Sequence, residues 1–81
     1  MLLSEIQKGT SFRVVKITSG REIARRLADM GFTEGAEGIV VRTGFLKGPM
    51  HVRIRGYGIL IRRSEASDIE ISPVEAAGIA T

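Results

Sequence analysis

With 81 residues the chain has room for one domain, and its 43% apolar content is enough for a single small core. The absence of cysteine excludes thiolate metal sites, disulfides and thiol redox chemistry. A net charge of +3 allows contact with nucleic acid, a membrane surface or an acidic protein and selects none of them.

No stretch has the apolar length of a bilayer span, and the N-terminus lacks a basic region followed by an apolar one, so a cytosolic protein is expected. Leu2, Leu3 and Ile6 surround Ser4 and Glu5 ahead of Gly9, which predicts a short turn whose apolar residues plug one end of the domain. Residues 12–17 are rich in β-branched side chains and predict a first strand. Val14 and Val15 point to opposite faces, so a bulge or two-sided burial is expected there.

Ser19 with Glu22 three positions on matches a capping box and opens the one substantial helix, over about residues 20–30. Ile23, Leu27 and Met30 fall at helical spacing on one side. Arg25 and Arg26 lie in the C-terminal half, where positive charge complements the helix dipole. Gly31 suits a left-handed helix stop, and Phe32 could fold back as the apolar contact of such a cap.

Residues 37–43 predict a second strand, with Ile39 and Val41 on one face and Val40 on the other. The loop over 44–49 carries Phe45 and Leu46 among two glycines and a proline. Residues 50–55 alternate Met50, Val52 and Ile54 with His51, Arg53 and Arg55, giving one core face and one wet, basic face. Gly56-Tyr57-Gly58 reads as a tight turn and residues 59–62 as a mostly buried return strand. One helical turn at Ser64–Ser67, a short strand at Ile69–Ile71 and a stop at Pro73 complete the domain, residues 1–73. Residues 74–81 read as a flexible tail. Short strands at close intervals with one inserted helix give an all-β fold that is expected to close on itself, which would shelter the apolar run at residues 59–61.

Catalytic and metal-binding chemistry is sparse. His51 is the single histidine and sits on the wet face of an alternating strand, as a surface side chain. Glu34 and Glu37 flank Gly35 and could meet at a turn, but two carboxylates alone hold a divalent cation weakly. Neither a GxxxxGK[ST] loop nor a GxGxxG run joining strand to helix is present. No catalytic residue, cofactor or metal site is therefore expected. The basic set Arg42, Arg53, Arg55, Arg62 and Arg63, with Tyr57 as a stacking surface, forms either a solvated face or a nucleic-acid surface. Phe45, Leu46 and Met50 either cap the core or offer an apolar patch to a partner.

Arg26-Leu27-Ala28-Asp29-Met30-Gly31-Phe32-Thr33-Glu34-Gly35 resembles the RL-x-x-MG-hydrophobic-x-x-G signature of FeoA-like ferrous iron transport domains. Gly48-Pro49-Met50, Arg55-Gly56-Tyr57, and Leu60-Ile61-Arg62 with Glu65-Ala66 and Ile69 follow in the family's order, so the likeness runs from about Leu3 to Ile71. Glu34 stands where the family often has proline and Phe32 where leucine is usual.

The resemblance implies an SH3-like β-barrel of five to six short strands with a helix inserted after the first. It also implies a cytosolic accessory of the ferrous iron transporter B, a membrane protein with a cytosolic GTP-binding domain. The partner surface expected on this reading combines Arg25, Arg26, Met30 and Phe32 with Phe45, Leu46 and Met50. Nucleic acid is not expected as a partner. A small nucleic-acid-binding barrel using Arg42, Arg53, Arg55 and Tyr57 is the alternative, and self-association through the apolar loop is a further one.

Overall fold

The structure is a computed structural model and describes residues 1–44 and 48–74. Its strands are β1 (Ser11–Ile17), β2 (Glu37–Arg42), β3 (Met50–Ile54), β4 (Tyr57–Ile61) and β5 (Ile69–Val74). They form one antiparallel sheet in the order β4-β3-β2-β1-β5. Helix α1 (Arg21–Asp29) lies between β1 and β2, and the four-residue α2 (Arg63–Ala66) between β4 and β5. A 3-10 turn over Leu3–Glu5 precedes β1.

Fully buried side chains on both outermost strands require the sheet to roll on itself. Ile61 of β4 and Ile69 of β5 enter the same core as Phe12, Val40 and Val52, each without solvent exposure. One nine-residue helix could not cover both margins of a flat sheet. The result is the expected small barrel with an inserted helix, built from five strands. Among the described residues no ladder joins β4 to β5, so the barrel closes through side-chain packing and its two edges remain distinct. The edge at β5 is covered by the N-terminus: Ile71 N–H donates to Met1 C=O (2.7 Å), and Leu2 bridges Glu70. Leu3 and Ile6 fill the end of the core, as their spacing predicts.

Val14 is buried and Val15 exposed, and a register shift between Val14 and Lys16 supplies the bulge expected there. Val40 is the inward residue of β2, whereas Ile39 is half-buried and Val41 exposed. Met50, Val52 and Ile54 of β3 all face the core, as alternation predicts.

Several sequence expectations change. Ser19 does not cap α1: Gly20 is the N-cap, and the Ser19 hydroxyl donates to Asp68 Oδ2 (3.2 Å). Because the helix starts one residue later than that box requires, Ser19 lies outside the cap position, and its hydroxyl proton goes to a carboxylate of the turn before β5. Ile23 is 41% exposed, because only Leu27, one turn further on, is fully buried on this short helix. The β3–β4 turn is Arg55-Gly56, and both residues have positive φ (53° and 83°), the requirement of a two-residue type I′ hairpin loop. Tyr57 and Gly58 therefore belong to β4, and that strand is largely exposed, with Leu60 71% accessible. Pro73 continues β5 in register with Phe12, which an edge strand tolerates because one side has no ladder to lose. Of the tail expected over residues 74–81, Val74 instead ends β5 in register with Ser11, and 75–81 lie outside the described residues.

Two glycines are held by geometry. At Gly38 a Cβ would sit 2.6 Å from Arg53 C=O and 2.9 Å from Phe12 Cζ, because β2 crosses β3 and the core aromatic with no room between. Gly31 has φ +110°, and a Cβ there would approach Ile54 Cγ2 to 3.3 Å. Gly38→Ala must move strand backbone and is expected to cost about 2–4 kcal/mol. Gly31→Ala pays mainly for a left-handed alanine, about 1–2 kcal/mol. Urea denaturation midpoints at constant slope would test that order.

Candidate functional site

The end of α1 is closed by two backbone bonds. Gly31 N–H donates to Ala28 C=O (3.0 Å) and Phe32 N–H to Leu27 C=O (2.9 Å), the paired bonds of a Schellman cap. Phe32 and Leu27, the residues whose apolar contact accompanies that cap, are both fully buried. The chain then turns so that Gly35 N–H donates to Val14 C=O (2.8 Å) and Val14 N–H to Ala36 C=O (2.8 Å), anchoring the start of β2 on β1.

This cap decides where the expected partner residues go. Phe32 and Met50 are 0% exposed and belong to the core, which corrects their assignment to a partner surface. A fold this small cannot spare two of its largest apolar side chains. Met30 is half-buried against the core. Arg25 is exposed, and Arg26 pairs with Glu65 of α2. Phe45 and Leu46 lie outside the described residues. What remains of the expected surface here is Arg25, Arg26 and Met30.

Glu65 serves two purposes: one carboxylate oxygen accepts from Arg26 and the other from the Arg62 amide (3.2 Å). Its side chain is only 12% exposed, unlike the open Arg13–Glu37 pair at 52% and 55%.

The basic residues divide into committed and free. Arg55 lays its side chain beside Gly31 and donates from Nη2 to Thr33 Oγ1 (3.1 Å), fastening the hairpin tip to the helix end. Arg63 donates from Nη1 to Ser4 C=O (2.9 Å). Arg42, Arg53 and Arg62 are exposed. Arg42 stands opposite His51, and Arg53 lies between Ile39 and Gly58. His51 is half-buried over Gly58, whose Cβ position would meet its Nε2. Among the described residues no group of three or more histidines or acids is placed to hold a metal ion.

The sequence reading missed β4 as a surface. Tyr57 and Leu60 are each 71% exposed, the largest exposures of any sizeable apolar residue in the described chain. Three consecutive apolar residues at 59–61 suggested burial, and only the strand's place at the sheet edge reverses that. A signal was present in the charges: residues 38–64 hold six of the twelve Lys and Arg and none of the nine Asp and Glu.

Comparison with known proteins is consistent over most of the chain. The family model described as FeoA domain matches residues 1–73. A curated relative from Porphyromonas gingivalis (strain ATCC BAA-308 / W83), an Fe(2+) transport protein A/Fe(2+) transporter FeoB fusion protein, is 30% identical over 76 residues. That match takes in 94% of this chain and 9% of the relative, so the chain spans a small part of the fusion. The solution structure of FeoA from Chlorobium tepidum superposes with a TM-score of 0.87 at 32% identity, covering 93% of this chain and 71% of that one. The FeoA of Stenotrophomonas maltophilia, an SH3 domain protein crystallised with zinc, gives 0.77 at 32% identity over 89% of each chain.

Phe32→Ala is expected to cost about 3–5 kcal/mol and Met50→Ala about 2–5 kcal/mol, read as lost thermal stability. Glu65→Ala removes a helix cap and a sheltered ion pair and should cost about 1–2 kcal/mol. Glu37→Ala, at an open pair, should change stability by less than about 1 kcal/mol in the same melts.

Proposed function

The chain belongs to the FeoA domain family of ferrous iron transport, and on that premise we propose that it is a non-enzymatic accessory that binds the cytosolic, GTP-binding part of a ferrous iron transporter B. In this role it modulates the transporter's assembly or nucleotide cycle. The observation that carries the reading is the relative in which a transport protein A and a transporter B form one polypeptide. Covalent linkage holds two modules at high effective concentration, which is useful when they act in contact.

The chemistry of the described residues supports docking over catalysis. The single histidine is packed on Gly58, and the ion pairs tie elements of the fold to one another. No helix among the described residues is long and apolar enough to cross a membrane, so on this reading the transporter brings the protein to the membrane face. The proposed contact includes Arg25, Arg26 and Met30 at the helix end, with Phe45 and Leu46, which lie in sequence between β2 and β3.

The test is binding of the purified chain to the isolated GTP-binding domain and, in parallel, to the full-length transporter. Saturable binding to the isolated domain, accompanied by a changed GTP hydrolysis rate, is expected. Binding only to full-length transporter would move the contact to membrane-proximal segments. Binding to neither would overturn the reading. Arg25→Glu, at an exposed position, is expected to weaken binding while leaving the melting temperature within about 2 °C of the parent.

A further inference from the structure

The two edges of the sheet are treated differently. At β5 the N-terminus lies against the edge and Pro73 interrupts it. At β4 no backbone hydrogen bond beyond the β3 ladder is made among the described residues. The two-residue turn pairs Ile54 with Tyr57, so Tyr57, Ile59 and Ile61 direct their amides and carbonyls toward β3. Gly58 and Leu60 consequently aim theirs outward. Within Tyr57–Ile61 there is neither a charge nor a proline, the usual devices that protect an edge.

The stretch of chain that contains this edge carries charge of one sign. Residues 38–64 carry a net +6 and the rest of the chain −3. Arg53 lies next to Gly58 on β3, and Arg62 follows β4 directly. Two copies meeting edge to edge would oppose these arginines, whereas an acidic strand would complement them. Arg55 also holds the hairpin tip against the end of α1, so the start of β4 and the helix end lie at one end of the barrel.

We propose that β4 is a docking edge that takes an extended, acidic segment of the transporter as a sixth strand, bonded to the backbone of Gly58 and Leu60. Leu60 supplies the apolar contact on the outer face and the free arginines select the acidic residues. This mode of binding uses main-chain bonds for affinity and neighbouring side chains for specificity. The inference rests on the transporter being the partner.

Residue-resolved amide hydrogen exchange on the full chain, free and with the full-length cognate transporter, tests it. In the complex, exchange at Gly58 and Leu60 should slow by about tenfold or more, while Ile59 and Ile61, already bonded to β3, change less. Leu60→Pro removes an outward donor and no β3–β4 bond, and should weaken binding about tenfold or more. Leu60→Ser, which keeps the backbone intact and adds no charge, should weaken it by a smaller factor.

Binding with unchanged exchange at Gly58 and Leu60 would overturn the edge and leave the accessory role standing. Absence of any binding by the parent chain would remove the accessory role and this inference together. Protection in the free chain that grows with its own concentration would assign the edge to a second copy. Tight, salt-sensitive binding of single-stranded RNA that protects the same amides would assign it to nucleic acid.

Discussion

The cap at the end of α1 is the constraint on which the rest of the molecule depends. Gly31 reverses the chain in a left-handed conformation, and the two bonds from Gly31 and Phe32 to the last helical turn send Phe32 into the core. From there the chain reaches β1 through Gly35 and Ala36, which fixes where β2 begins. The same glycine leaves a flat place for Arg55, whose bond to Thr33 holds the far hairpin against the helix. One residue without a side chain therefore joins the helix, the core aromatic and the hairpin tip.

This economy follows from size. A barrel of 81 residues has few large apolar side chains, and Phe12, Phe32, Leu27 and Met50 are all consumed inside it. What is left for recognition is backbone, charge and the occasional exposed apolar group. Arg63 and Arg55 are spent on stitching elements together, while Arg42, Arg53 and Arg62 remain in solvent. The edge of β4 belongs to this remainder, because among the described residues no strand pairs with its outer side.

The family membership and these features fit one another. The described residues form one packed barrel with an exposed strand edge, and no group of three or more histidines or acids among them is placed to hold a metal ion. The acid-free stretch over residues 38–64 contains both β3 and β4, so the net positive charge and the exposed edge belong to the same part of the chain.

The one-dimensional pattern was sufficient wherever a local rule had no competitor. Alternation over Met50, Val52 and Ile54 determined their inward face, Gly31 determined the helix stop, and Leu3 and Ile6 the plug. The linear order of signature residues likewise determined the family. Tertiary structure decided the cases in which a residue had two suitors. Ser19 fell one residue outside the helix cap and gave its hydroxyl proton to a distant carboxylate, and Phe32 met the cap's demand for an apolar contact and was lost as a surface. Leu60, inside an apolar run, was exposed because β4 ended the sheet. Periodicity records which side chains share a face, but burial depends on what is stacked against that face, and that is set by contacts between residues far apart in the chain.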